Sequence, residues 1–153
     1  MSDNSLKLTI LGEPMGKQRP RFSTYNGFVK TYTQAKTLNY ETLVKHEYMS
    51  KYNEMFFDNT SQLAVKIVAY FQIPKSHYRY YKKTNTTDLD KVGEQMRDGL
   101  IMPTKKPDTD NIAKIVLDSL NGIAYPDDSQ VVDLQVLKRY CENPRVELEI
   151  YPI

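Results

Sequence analysis

Alternating hydrophobic and polar residues predict β-strands near both ends of the chain. Residues 6–11 form the first predicted strand, because Leu or Ile occupies every second position from 6 to 10. Three further stretches show similar alternation: 63–73, 132–136 and 146–150. The last two flank a short Glu-Asn-Pro turn and are predicted to pair as a terminal hairpin.

Helical spacing of apolar residues predicts two longer helices between these strands. One covers about 33–52 and the other about 110–121. Pro107 interrupts any helix before the second one, and Gly122 is suited to end it. A shorter helix is predicted around 92–96. Together the elements predict an α+β fold, with a single-layer mixed β-sheet packed with helices.

Length and composition restrict the class of protein. The chain has 153 residues and a net charge of +2, which fits one domain over residues 1–153 with any nucleic-acid surface confined to local clusters. No secretory leader and no apolar run of membrane length is present, and the lone Cys141 can form no internal disulfide. These features predict a cytoplasmic protein without a membrane-spanning segment. His46 and His77 lack metal-ligand spacing, which argues against a zinc site.

Acidic residues cluster on the polar side of the second long helix and just beyond its end. The charged and amide residues there are Asp108, Asp110, Asn111, Lys114, Asp118, Asp127 and Asp128. Close carboxylates raise one another's pKa unless a cation lies among them. Mg²⁺ suits such a cluster, because it accepts a few carboxylates and leaves room for phosphate oxygens. Packing the helix on the sheet is expected to bring both ends of the cluster to one edge, with Lys114 placed to neutralise a phosphate.

Each part of this cluster also has a structural interpretation that the sequence leaves open. Asp108 or Asp110 could only cap the helix, and Lys114 could pair with Asp110 across one turn. The Tyr-Pro-Asp-Asp sequence at 125–128 could be an ordinary turn. A second Asp-x-Asp pair at 88–90 is a weaker candidate for the site, because no Asp-Asp pair follows it at the matching distance.

Basic residues gather in a Gly- and Pro-containing loop near the N-terminus. They are Lys17, Arg19 and Arg21. Guanidinium and ammonium groups neutralise DNA phosphates without reading sequence, although a solvated basic loop has the same composition. Asn26–Gly27, just after the loop, predicts a hairpin turn. The basic and aromatic residues of 75–83 fit either base stacking or a partner surface, so the role of residues 75–105 stays open.

Two blocks of the sequence have the order and spacing of a known family. The first reads Asp108-x-Asp110-Asn111-x-x-Lys114, then Asp118, then Asp127-Asp128-x-Gln130-Val131-Val132. The second reads Gly12-x-Pro14-x-Gly16-Lys17-x-Arg19-Pro20-Arg21. The first block resembles the RusA-type Holliday junction resolvases, which are common in phages and prophages, and the second is similar to the opening of the phage members. The best-known bacterial form has a more arginine-rich run before its Asp-x-Asp, where this chain has only Lys105 and Lys106.

The resemblance implies a RusA-like homodimer that resolves four-way DNA junctions by paired symmetric nicks, in recombination and repair within a bacterial or phage-infected cell. It implies Mg²⁺, with Mn²⁺ as an alternative, held by Asp108, Asp110 and Asp128. Lys114 completes the implied catalytic set, and the implied supporting residues are Asn111, Asp118 and Asp127. The implied DNA contacts are Lys17, Arg19, Arg21, Lys105 and Lys106. Two alternatives stay open: another metal-dependent nuclease acting on branched or flap DNA, and a junction-binding protein without catalysis.

Overall fold

The computed structural model describes residues 4–32, 34–75 and 91–153. Its elements in chain order are β1 (Leu6–Leu11), β2 (Arg21–Tyr25), β3 (Phe28–Tyr32), α1 (Ala35–Lys51), β4 (Leu63–Gln72), α2 (Lys91–Arg97), α3 (Thr109–Leu120), β5 (Val131–Cys141) and β6 (Arg145–Pro152). A 3₁₀ turn, Asp128–Gln130, precedes β5. The Asp-x-Asp pair at 88–90 lies outside the described residues, as does most of the segment 75–83.

The main sheet has four strands in the order β1-β6-β4-β5. β1 pairs antiparallel with β6, and β6 pairs antiparallel with β4. β4 and β5 run parallel, with Val65 opposite Leu134 and Phe71 opposite Tyr140. The sheet is therefore mixed, and the predicted α+β class is confirmed.

The predicted terminal hairpin is wrong, because β5 and β6 do not pair with each other. Both pair with β4, which lies between them. Most residues of β4 are buried, and a central position satisfies the backbone hydrogen bonds on both of its edges. The short connection at 142–144 can pass over the end of β4, because four Cα steps reach about 14 Å and two strand spacings are only about 10 Å.

The helices α1 and α3 pack together, with α1 also against β1 and α3 also against β5. Their apolar sides join the sheet in one core, to which α3 contributes Ile112, Ile115, Val116 and Leu120. Fully burying one such side chain contributes about 1.5–3 kcal/mol. This stripe fixes the rotation of α3, so that the Lys114 side of the helix stays exposed. None of the helices in the described part of the chain is long and apolar enough to cross a membrane.

The strands β2 and β3 form a two-stranded hairpin of their own, separate from the main sheet. Its turn is the predicted Asn26–Gly27 pair, where φ is 50° at Asn26 and 80° at Gly27. Positive φ at both central residues is the geometry of the tightest hairpin turns, and Asn-Gly is the pair best suited to it. The predicted hairpin is thus confirmed.

Candidate active site

Asp108 precedes the first turn of α3, yet its carboxylate takes no part in capping the helix. Its backbone is extended, with φ −72° and ψ 157°. Its carbonyl oxygen accepts the first helical hydrogen bond from the Ile112 N–H, at 3.1 Å. Its side chain makes no capping hydrogen bond. Asp108 is therefore the N-cap residue by position, as one interpretation of the sequence had it, but its carboxylate takes no part in the cap and stays available to a ligand.

Asp110 and Lys114 lie one turn apart on α3, and both are exposed. Neither side chain forms an ion pair within the described part of the chain. The expected surface pair between them is therefore not formed there. Asp110 borders a groove of about 240 Å³ beside Leu134 and Val136 of β5.

The N-terminal loop packs closely against the start of α3. A Cβ atom added to Gly16 would lie 2.7 Å from the Pro107 Cβ and 3.1 Å from the Asn111 Cβ, so only glycine fits here without a shift. The Lys17 N–H donates to the Asn111 carbonyl oxygen at 2.9 Å. A cavity of about 330 Å³ remains between the loop and the helix, and Asp108 is part of its lining. The two sequence blocks therefore meet in space.

The Lys17 ammonium lies between two carboxylates. It donates to the Glu41 carboxylate of α1, and it lies 3.2 Å from an Asp118 oxygen of α3. Burial lowers the pKa of Lys17, but the hydrogen bonds to Glu41 and Asp118 outweigh burial and raise the pKa overall. Lys17 therefore stays charged near neutral pH and fastens the loop to both helices. Its contact with DNA remains a prediction.

Asp127 caps the 3₁₀ turn that follows α3. Its carboxylate accepts the Ser129 N–H at 3.0 Å, and its own N–H donates to the Gln130 Oε1 at 3.1 Å. This is a reciprocal capping box, and the hydrogen bonds from Ser129 lower the pKa of Asp127. The Gln130 amide also donates to the Asp58 carbonyl oxygen at 2.8 Å. Asp127 is thus a structural residue of the turn.

Asp128 is held in place through its backbone, and its carboxyl group is not the cap of the turn. Its N–H donates to the Asn121 Oδ1 at 3.1 Å, which ties the turn to the C-terminal end of α3. Burial raises the pKa of Asp128, and the neighbouring carboxyl groups of Asp127 and Asp118 raise it further. Negative charge is therefore concentrated here, and a cation would relieve it.

The two ends of the acidic cluster do not meet within one chain. Asp108 and Asp110 open α3, whereas Asp128 is tied to Asn121 at the other end. At 1.5 Å per residue, Asp110 and Asn121 are about 16 Å apart along the helix. No group of three or more His, Cys, Asp or Glu residues in the described ranges is placed to hold a metal ion. The expectation that one chain brings both ends to one edge is therefore wrong.

The remaining basic residues predicted to contact DNA are exposed. Arg19 and Arg21 lie in and just after the N-terminal loop, and Lys105 and Lys106 precede α3. The Lys105 ammonium lies 5.7 Å from the centre of the Phe71 ring. Lys105 and Lys106 come just before Asp108 in the chain, and Arg19 and Arg21 follow the loop residues that line the cavity beside it. Exposed cations suit contacts with a phosphate backbone.

Comparison with known proteins decides the family. The family model for endodeoxyribonuclease RusA matches residues 12–151. The chain belongs to the RusA family. It is also 39% identical over 145 residues to the "Uncharacterized protein YqaN" of Bacillus subtilis (strain 168), covering 95% of this chain and 94% of that protein. Membership of the RusA family implies endodeoxyribonuclease activity and action on branched DNA junctions.

Two residues that shape the site of this RusA chain were not predicted. Glu41 binds Lys17, although 24 positions separate them, and the only signal is that Glu41 is the first acidic residue after Glu13. Tyr125 is buried, and its hydroxyl donates to the Leu117 carbonyl oxygen at 2.7 Å. This bond fixes the path of the chain from α3 to the turn that carries Asp128.

Proposed function

We propose that this RusA-family chain is a divalent-metal-dependent endonuclease that resolves four-way DNA junctions by paired symmetric nicks, in recombination and repair. The observation that carries the proposal concerns the charged side chains around the first turn of α3. There, the Asp108 carboxylate makes no capping hydrogen bond, and Asp110 and Lys114 make no ion pair with any described residue. Charged groups left without structural partners at a family motif fit a role in binding a ligand.

The proposed metal ligands are Asp108, Asp110 and Asp128. Carboxylate oxygens are the donors that Mg²⁺ prefers, and Mn²⁺ accepts the same set. The pKa of Asp128, raised by burial and by like charge, supports a cation as the partner of this carboxylate. When bound, the ion supplies Lewis-acid polarisation of the scissile phosphate and activation of water.

The other residues of the motif have distinct proposed roles. Lys114 places its ammonium on the same helix face as Asp110, one turn on, where it stabilises negative charge that develops on the phosphate. Asn111 and Asp118 hold the N-terminal loop through Lys17. Asp127 supports the site through the turn that carries Asp128.

A homodimer is part of the proposal. Two symmetric nicks require two sites related by a twofold axis. The separation of Asp110 from Asp128 along α3 supports sites that draw ligands from both copies, because one chain holds these carboxylates apart. β5 is an edge strand with exposed Val132, Leu134 and Leu137. An exposed apolar edge beside the groove at Asp110 suits contact with a second copy.

The test is cleavage of a mobile four-way junction with Mg²⁺, compared with linear duplex and flap substrates. Wild type is expected to make paired symmetric nicks in the junction alone, and EDTA is expected to abolish them. Asp110→Asn is expected to lose roughly 100-fold or more in cleavage, since even residues that only support ligands contribute 10- to 100-fold. Its junction affinity should be kept or improved, because a negative charge near the phosphates is removed.

The matched control is Glu54→Gln, which removes an exposed carboxylate after α1 that has no proposed ligand or interface role. It should cleave like wild type. Preferred cutting of flaps would favour the other nuclease class. Junction binding without cleavage under any divalent metal would refute the enzyme and leave a binding protein.

A further inference from the structure

The β2–β3 hairpin exposes large apolar side chains that no other described part of the fold covers. All five residues of β2 are exposed. The exposed fractions are 73% for Phe22, 73% for Tyr25, 74% for Phe28 and 64% for Val29. An isolated two-stranded hairpin is marginally stable at best in water, and an apolar patch on an unsupported arm is typical of a binding surface.

The strand register divides these side chains between two faces. Tyr25 lies opposite Phe28, and Ser23 lies opposite Lys30. Alternation along each strand puts both pairs, together with Arg21, on one face. This face, which we call the aromatic-basic face, has two rings beside the turn and two cations nearer the body of the protein. Phe22 is on the opposite face with Val29, and that face has no charged residue.

The charge around the hairpin selects a polyanionic partner. From position 14 to position 40 the chain contains no Asp or Glu, while Arg19, Arg21 and Lys30 lie in or next to the hairpin and are exposed. In the described part of the chain, none of these three cations forms an ion pair. Rings at the tip with unpaired cations behind them match nucleic acid, which offers a flat base next to a phosphate.

We propose that the aromatic-basic face binds the branch point of the DNA, with Tyr25 and Phe28 stacked on bases and Arg21 and Lys30 on the adjoining phosphates. This inference rests on the proposed junction substrate and assigns part of its recognition to a new surface. Within linear duplex both faces of every base pair are already stacked, so a ring can enter only by separating neighbouring pairs. At a branch point the continuous stack is interrupted and a base face is accessible. The rings therefore favour junctions, whereas the cations bind any duplex.

The experiment measures dissociation constants of the full chain for an immobile four-way junction and a linear duplex, in EDTA. The variant Tyr25→Ala/Phe28→Ala should bind the junction at least about 30-fold more weakly, because stacking on one base is lost per ring, while duplex binding changes by less than about 3-fold. The control Phe22→Ala/Val29→Ala, on the other face, should leave both constants unchanged. The variant Arg21→Gln/Lys30→Gln should weaken both and reduce the salt slope by about 2. A 2-aminopurine base at the branch point should report stacking with wild type and not with Tyr25→Ala/Phe28→Ala.

The outcomes separate this inference from the proposed function. Wild type that binds the junction no better than duplex would overturn the proposed substrate itself. A junction preference that survives Tyr25→Ala/Phe28→Ala would overturn the hairpin inference alone. Equal losses of junction affinity and duplex affinity in this variant would also overturn the hairpin inference. A change in sedimentation from dimer to monomer in this variant would also overturn it, because the face would then be covered by a second copy.

Discussion

Mixing two inactive variants is predicted to restore cleavage. Asp110→Asn alters the start of α3, and Asp128→Asn alters the turn at its other end. Oxygen ligands of Mg²⁺ lie about 2.1 Å from the ion, so two ligand oxygens are at most about 4 Å apart. The helix separates Asp110 from Asn121, the anchor of Asp128, by about 16 Å, and the described residues of one chain include no group of three carboxylates placed to hold a metal ion. Each site should therefore take Asp110 from one copy and Asp128 from the other.

The size of the recovery follows from counting sites. In a mixed dimer, one site receives both substitutions and the other receives neither. An equal mixture gives about half mixed dimers, so about one quarter of wild-type sites return. The assay is junction nicking after subunit exchange, with one chain tagged so that mixed dimers can be isolated and counted. The product should be single nicks rather than paired nicks, because each mixed dimer has one intact site.

A matched mixture controls for nonspecific rescue. Asp108→Asn and Asp110→Asn both alter the start of α3, so every site of their mixed dimer carries one substitution. That mixture should stay inactive. If isolated mixed dimers of Asp110→Asn with Asp128→Asn are also inactive, the reasoning from helix geometry is refuted, and each site must form within one chain.

Three further substitutions test the local structure. Gly16→Ala should destabilise the protein by about 1–3 kcal/mol, because the new methyl group overlaps the Pro107 ring; an unchanged denaturant midpoint would contradict this packing. Tyr125→Phe should cost about 1–2 kcal/mol by chemical denaturation, since the Leu117 carbonyl oxygen loses its donor; equal stability would mean that water replaces the hydroxyl. Asp127→Asn should keep thermal stability and most junction cleavage, whereas Asp127→Ala should lower the melting temperature because the cap is lost. Equal effects of the two changes would exclude a capping role.

Local elements could be predicted from the sequence because their causes are local. Periodicity and the residues that bound a helix predicted α3 at about 110–121, and it spans Thr109–Leu120. The Asn26–Gly27 turn fixed the hairpin in the same way. Strand order was not predictable, since a three-residue connection favours a hairpin and nothing local indicates that β4 lies between β5 and β6. That arrangement depends on burying β4, which is a property of the whole sheet.

The candidate site likewise combines local features that the sequence could predict with features that depend on the whole fold. Residue types and spacing identified an acidic cluster, and the family resemblance singled out Asp108, Asp110 and Asp128 as its candidate metal ligands. Spacing could not show that α3 holds Asp108 and Asp110 apart from Asp128, since this depends on where the turn that carries Asp128 is attached. It also could not distinguish Asp127 from Asp128, which are adjacent in sequence. The hydrogen bond from Ser129 decides that Asp127 is the cap.

Lys17 connects the proposed metal site to the proposed DNA-binding hairpin in a way that its charge alone does not indicate. Its ammonium is held by Glu41 and Asp118, and its N–H by Asn111. The loop that ends at Arg21 is therefore fixed to α3 next to the proposed metal ligands, and the hairpin begins where that loop ends. DNA held by the hairpin would then lie in a fixed position relative to the start of α3. Lys17 acts in this scheme by positioning the hairpin, so its loss should weaken cleavage more than it weakens binding to duplex.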